Sequence, residues 1–511
     1  MSWFLRCSVA AMALACSSLA QAAWHKASSK HFIIYSQQRP EQLRAYAEKL
    51  ERFDQAARRV LAKSDPAIGD GNRLSIFVLD DVEAVQKLHG TRDDFLAGFY
   101  VGRYSGSVAF TPRRAQEGWD GGLKADSVFF HEYNHHLMFQ QFDQPYPNWY
   151  IEGFAELLGT PKFGRDGSVT IGIAPLHRAG GLASGGGLTT RQLLESQPAK
   201  LNADQRESIY GRGWLLTHYL NFEPSRSGQL ARYIDQLAKG QAPGAAATNA
   251  FGDLKLLDRE IERYLDRSRL KALTVSGAVL KVGAIEITPL SAGAGEAMPL
   301  RMLSKRGVSA AEAKSVVEKL RSIGSRNPND AFVQGALAEA EYDAGNHKAS
   351  LAAAEAALRA DPRSVEAMVY KGRALTELAA DEDQSASFGK AREAYLAANR
   401  IDAEDPEPLF LYYLSFLREG KRPTANAIAA LHYASVLAPQ DTGLRITSAL
   451  SWLDEGKLAE ARLELLPIAF NPHGGDEAKA ARAAMAKIDA KDAKGAIAAF
   501  ASAKPDEQAA H

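Results

Sequence analysis

Cysteine is nearly missing from this chain: of 511 residues only Cys7 and Cys16 are of that type. Beyond residue 16 there is therefore no disulfide staple, no thiolate nucleophile and no cysteine-bound metal. Long apolar runs are missing as well. No stretch reaches the roughly 18 apolar residues needed to cross a bilayer, so no membrane span is expected. Nor is there an excess of charge: 61 Lys and Arg face 61 Asp and Glu. That balance excludes the basic footprint of a nucleic-acid binder, and no nucleic-acid partner is expected. Histidine is scarce, at 12 residues, which makes a tight His cluster informative. The length and an ordinary apolar content of 46 % predict two or more globular domains.

Both cysteines fall in a leader. Residues 1–22 combine Arg6, an apolar run from Val9 to Ala15, and Ala20-Gln21-Ala22, a small-x-small cleavage site. The run is too short to span, so cleavage and release into the periplasm or medium are expected. Ala13-Leu14-Ala15 ahead of Cys16 lacks the leucine that a lipoprotein signal carries three places back.

What the chain does contain is His131-Glu132-Tyr133-Asn134-His135, an HExxH pattern. Residues four apart share a helix face, so His131 and His135 can reach one ion at Zn–N distances of about 2.0–2.1 Å. Glu132, rotated by about 100°, stays off the metal and suits the base that takes a proton from zinc-activated water. Pro145 and Pro147 end this helix. Asn148 is a plausible N-cap for a second one, Trp149-Tyr150-Ile151-Glu152-Gly153-Phe154-Ala155-Glu156-Leu157-Leu158, which can fold back over the histidines. Glu152 is then the third ligand and the fourth zinc position stays open, as in catalytic sites. Glu156, one turn on, is read as the carboxylate that orients a ligand histidine. It is also the rival third ligand.

At these residues the chain resembles the gluzincin metallopeptidases, the clan of thermolysin and aminopeptidase N type enzymes. Residues 149–156 are similar to the W-x-x-E-G-x-A-E ligand helix of that clan and of the peptidase MA-like proteins of the DUF1570 type. The resemblance covers residues 24–270, with a gap of 16 residues between His135 and Glu152, shorter than the aminopeptidase spacing. It implies one Zn2+ per chain, held by His131, His135 and Glu152, with Glu132 as base. It also implies a downstream oxyanion donor. Tyr210, at the start of the apolar helix around residues 207–220, is preferred, with core packing as its other reading and Tyr219 or His218 as substitutes. No G-x-M-x-N sequence occurs, which favours an endopeptidase. His136, His177 and His218 are read as ordinary structural histidines.

Upstream, His31–Tyr35 and Leu74–Leu79 read as strands and residues 41–62 as an amphipathic helix. Gly98–Gly102 and Ser107–Phe110 read as a hairpin before the motif helix. By the same resemblance an edge strand would bind substrate in extended form, although the sequence does not say which strand is the edge. Gly180–Gly187 lacks G-x-x-x-x-G-K-[ST] and reads as a surface loop.

The last third repeats. Pro406, Pro439 and Pro472 stand 33 residues apart, close to the tetratricopeptide (TPR) period of about 34. Pro362 precedes Pro406 by 44 because residues 380–385 read as an insertion. Leu337-Ala338, Tyr342, Gly345-Asn346, Ala349, Ala353, Ala356-Ala357-Leu358 and Asp361-Pro362 resemble the TPR consensus. About four repeats are expected over 327–475, with a concave surface for a protein or peptide partner and a capping helix after Ala480.

The expected fold is an α+β zincin-like metallopeptidase domain followed by an all-α TPR solenoid. Its parts are a leader (1–22), a peptidase domain (23–270), a β-rich connector (271–305) and the repeats (306–505). The expected activity is exported, zinc-dependent hydrolysis of a peptide or protein substrate. The alternative is a TPR scaffold with a vestigial metal site.

Overall fold

The β-branched and aromatic runs ahead of the motif form the centre of one mixed sheet. The computed structural model describes residues 23–65, 68–91, 96, 98–113, 125–139, 144–182, 187–196, 201–381, 385–471 and 474–501. The leader expected at 1–22, with Cys7 and Cys16, lies outside the described residues. No described helix is long and apolar enough to cross a membrane. The strands are β1 (His25–Ser28), β2 (Phe32–Ser36), β3 (Leu74–Leu79), β4 (Phe99–Val101), β5 (Val108–Pro112), β6 (Lys162–Phe163), β7 (Val169–Ile171), β8 (Leu273–Val275) and β9 (Glu286–Pro289). The large sheet has the order β4-β5-β3-β2-β1-β9, and β6-β7-β8 form a small second sheet. β2, β3 and β5 run parallel, with Phe32 opposite Leu74 and Ser75 opposite Val108. β4 runs antiparallel to β5 at one end of the sheet. The central strands are covered on both faces, which is why they read as continuous apolar runs.

The first helices are α1 (Pro40–Val60), α2 (Val82–His89), α3 (Ala125–Phe139) and α4 (Asn148–Gly159). Pro147, not Asn148, is the N-cap of α4, and no side chain caps it. α5 (Ala179–Leu182), α6 (Thr190–Leu194), α7 (Ala203–Phe222), α8 (Gln229–Ala238), α9 (Pro243–Phe251) and α10 (Leu254–Leu265) follow. The expected loop at 180–187 thus begins as a short helix, and residues 183–186 lie outside the described ones. α1 and α3 pack on one face of the sheet through Phe53 and Phe130, whose ring centres are 4.2 Å apart. A buried polar network pins α3 from behind. Tyr133 donates to Asp54 at 2.6 Å, and Asp54 also accepts from Arg58 at 2.9 Å. Next to it Glu51 accepts from the His31 amide at 2.9 Å. Each buried charge is paired, as burial at this depth requires.

Of the three strands expected within 271–305, those at 273–275 and about 285–287 form and the one at 279–282 does not. β8 joins the small sheet, β9 completes the large one beside β1, and residues read as a Gly/Ala/Pro turn form α11 (Ala292–Arg306). Ser291 caps it by accepting from Ala294. Met298 and Met302 bury against Tyr35, Phe77 and Phe110 on the second face of the sheet. That burial outweighs the poor helix propensity of Gly293, Gly295 and Pro299. α11 is therefore a layer of the N-terminal unit as well as the start of the helical stack.

α12 (Ala310–Arg326) leads into five antiparallel pairs: α13/α14 (Ala331–Asp343, His347–Ala360), α15/α16 (Val365–Asp381, Ser385–Ile401), α17/α18 (Pro406–Arg418, Ala425–Leu437), α19/α20 (Thr442–Asp454, Leu458–Ala469) and α21/α22 (Gly475–Asp489, Ala493–Ala501). Asp330, Asp405 and Asp441 cap the first helices of their pairs, and Gly345, Gly420 and Gly456 close them at positive φ. The 44-residue interval arises because α15 and α16 are 17 residues long each. The stack runs one pair beyond the four expected, since Ala481 and Ala484 pack with Leu465 and Ile468 of α20 in one core.

The stack docks on the N-terminal unit. Gly71 N–H donates to Asp402 at 2.9 Å and Asn72 Nδ2 to the Leu437 carbonyl at 2.6 Å. Burial, together with Glu407 and Asp402, pushes the neighbouring Asp405 carboxyl up to about 8. An unfolded Asp titrates near about 4, so between those values the folded chain holds a proton the unfolded chain has lost. This group's contribution to stability therefore falls as pH rises from about 4 to 8. Asp405→Asn keeps an oxygen for the Glu407 N–H, and should flatten the decline of the thermal midpoint over that range. A decline identical to wild type would assign it to another group.

Candidate metal centre

Two glycines let three helices meet at the histidines. A Cβ on Gly153 would lie 2.3 Å from the Gly213 carbonyl, and one on Gly213 would lie 2.6 Å from the Trp149 carbonyl. α4 and α7 thus cross backbone to backbone. α4 is buried along most of its length, with Trp149, Ile151, Glu152, Ala155 and Glu156 all shielded. Asn134 of α3 reaches the Ala155 carbonyl at 3.5 Å. In consequence α4 lies across the face of α3 that carries His131 and His135, and α7 brings Tyr210 in from the side.

The three expected donors converge. His131 Nε2 and His135 Nε2 are 3.1 Å apart, and Glu152 Oε2 lies 3.3 Å from the first and 3.5 Å from the second. Donors at about 2.0–2.1 Å from a tetrahedral zinc stand roughly 3.3–3.4 Å apart. The triangle fits that ion with no rearrangement beyond a few tenths of an ångström. Two imidazoles and a carboxylate suit zinc better than a hard cation.

Glu156 is placed elsewhere. Its Oε1 is 3.3 Å from His131 Nδ1, the ring nitrogen facing away from the triangle, and accepts from Arg178 Nε at 2.8 Å. Its Oε2 is 3.3 Å from His177 Nε2. Burial by itself would raise the Glu156 carboxyl, but His131, His177 and Arg178 outweigh it and hold the group well below the usual carboxylate range. Burial alone would lower His131, yet Glu156 and Glu152 raise it to about 10. With Glu156 accepting at Nδ1, Nε2 is the nitrogen that would give up its proton and offer a lone pair to a metal.

Glu132 turns toward the sheet. It borders a void of about 10 Å³ between α3 and the sheet, together with Leu74, Phe99, Tyr100, Ala109 and Phe110. β4, the antiparallel end strand, and β5 both pack beside the motif helix. Tyr100 Oη and His136 Nδ1 are 2.8 Å apart, tying β4 to α3. Burial pushes the His136 imidazole down to about 3, so it serves as a neutral partner in that bond. Tyr210 stands with its ring centre 6.0 Å from that of His131 and under the Arg178 guanidinium at 4.3 Å. Burial, and then Glu152, raise its hydroxyl above the usual tyrosine range. The substitutes are turned elsewhere: Tyr219 donates to Glu260 at 3.2 Å, while His218 meets the carbonyls of Gly172 and Lys271 and the Tyr264 hydroxyl.

His177 is not an ordinary structural histidine, because it joins Arg178 in fixing Glu156. Neither residue was visible as part of the site in the sequence; the cue is only that a basic pair follows the ligand helix and precedes the glycines. His31, Asp54 and Asp65 also bring one donor each within 4.8 Å of one another. Arg58 and Tyr133 already use Asp54, and Lys30 pairs with Asp65. That cluster is a satisfied charge network.

No family model and no curated protein matches the chain. Among solved structures it is similar to a thermophilic TPR protein of Thermus thermophilus, at 17 % identity and a TM-score of 0.31, over 36 % of this chain and 97 % of that one. It is also similar to the MamA RS-1 ArsTM double mutant, at 15 % identity and a TM-score of 0.26, over 33 % of this chain and 90 % of that one. The gluzincin resemblance rests on the residues of α3 and α4 alone.

Proposed function

We propose that the N-terminal unit is a zinc-dependent peptidase of gluzincin type, exported and acting on peptide bonds inside an extended chain. One observation carries this reading: three donors from two helices stand 3.1–3.5 Å apart, and one of those helices also carries Glu132. Zinc, when bound by His131, His135 and Glu152, supplies a Lewis acid that polarises the scissile carbonyl and lowers the pKa of water to about 7. Glu132 takes the proton of the attacking water and returns it to the leaving amine. Tyr210 O–H donates a hydrogen bond to the developing oxyanion, a contribution of about 3–4 kcal/mol in comparable sites. Glu156 holds His131 in the tautomer that keeps Nε2 available. β4 offers main-chain donors and acceptors to a substrate strand.

Elemental analysis of the purified mature protein tests the site. Near-stoichiometric zinc is expected in the wild type and none in Glu152→Ala, whereas Glu156→Ala should keep zinc at an affinity reduced roughly 10–100-fold. A wild type that takes up no zinc on careful loading would remove the peptidase reading. What would then stand is the second reading, a scaffold whose helical pairs recruit a protein partner, supported by the regular stack α13–α22.

A further inference from the structure

The tip of the β4–β5 hairpin leaves the N-terminal unit and sits on the helical stack. Tyr104 N–H donates to Asp441 Oδ2 at 2.8 Å, and Gln440 Nε2 donates to Ser107 Oγ at 3.2 Å. The Tyr104 ring meets Phe410 edge-on at 4.9 Å, and Arg373 Nη2 reaches its hydroxyl at 3.4 Å. These partners come from α15, from α17 and from the turn that starts α19, so Tyr104 lies across three successive pairs. Partly buried, it packs against the core of α17/α18. The neighbouring loop is fitted as closely: a Cβ on Gly71 would lie 2.3 Å from the Asp405 carboxylate. The face made by the first helices of these pairs is thus filled by the chain itself at this point.

We infer that the stack positions the substrate-binding edge strand, with Tyr104 and Asp441 as positioning residues. The inference rests on the peptidase reading for its consequence, not for its geometry. β4 is three residues long, ends the sheet and packs beside α3, the helix that carries Glu132. A strand so short at a sheet end frays unless it is tied down. One end of the hairpin is held by the Tyr100–His136 bond and the tip by Tyr104. Releasing the tip loosens the main chain that a substrate pairs with and leaves the metal ligands on α3 and α4 untouched. Because Tyr104 acts through β4, its loss falls on substrate binding rather than on the chemical step.

The test is hydrogen exchange, read by mass spectrometry on the zinc-loaded full chain, for Tyr104→Ala and for Tyr104→Phe, which keeps the ring against Phe410. Peptide-library hydrolysis is run alongside. Tyr104→Ala should speed exchange at least tenfold within residues 98–110 only, keep zinc, and raise KM about tenfold at little-changed kcat. Tyr104→Phe should restore most of both. Exchange unchanged within 98–110 would overturn the inference, as would acceleration spread through α13–α22, which reports loss of the stack instead. A lowered kcat at constant KM would also overturn it. If the wild type binds no zinc or cleaves nothing, the peptidase reading fails and takes the substrate role with it. The exchange result then still decides whether the hairpin is held by Tyr104.

Discussion

Glu132→Ala should lower kcat for peptide hydrolysis by roughly 10²–10⁴-fold, the range over which a positioned general base contributes, while zinc content stays at the wild-type level. The two effects separate because Glu132 is not one of the three converging donors. It is displaced around α3 from His131 and borders a small void near Gly98 and Phe99, whereas Glu152 closes the triangle at 3.3 and 3.5 Å. Glu132 is only partly buried, so its truncation should leave the fold in place and the circular dichroism spectrum unchanged. Glu132→Gln is the closer isostere, with the same loss of rate expected. The experiment also divides the two functional readings. If the variant loses hydrolysis and the biological role is lost with it, catalysis is the function. If the role survives in a chain that no longer cleaves, the helical stack carries the function and the metal site is incidental.

Gly153→Ala should destabilise the N-terminal unit by about 3 kcal/mol or more, the upper part of the range for overpacking a closed interface. Propensity alone predicts the opposite sign, because replacing a helix-interior Gly by Ala favours the helix by about 1 kcal/mol. The added Cβ would stand 2.3 Å from the Gly213 backbone, however, with Thr217 Oγ1 at 2.7 Å. Neither Gly213 atom can turn aside as a side chain can. α4 and α7 must separate, which moves Glu152 away from the histidines and Tyr210 away from His131. Urea unfolding followed by a probe in the N-terminal unit should show the lowered midpoint, and zinc affinity should fall with it. A neutral or stabilised Gly153→Ala would mean that the two helices do not cross at this pair. Gly213→Ala, facing the Trp149 carbonyl at 2.6 Å, is expected to behave alike.

The glycine in Glu152-Gly153-Phe154-Ala155-Glu156 shows how a pattern and its cause come apart. In the sequence it belongs to a resemblance; in the structure it is the point where two backbones touch. The same holds for Glu156. As a residue one turn after Glu152 it competes for the metal. Only the placement of its oxygens against His131 Nδ1, His177 and Arg178 makes it a support for the ligand.

Local sequence determined the elements. β3 and the helix from about residue 41 to 60 follow from side-chain period, the HExxH spacing puts two imidazoles on one helix face, and Asp caps with closing glycines mark the helical pairs, all because these preferences act within a few residues. Tertiary structure decided what lies far apart in the chain. It set β4 and β5 beside the motif helix, brought Tyr210 and Arg178 to His131, and turned a Gly, Ala and Pro segment into α11 by burying Met298 and Met302 on the sheet. It also seated Tyr104 on α17, more than 300 residues downstream. Packing between distant segments depends on shape and burial, which no local period records.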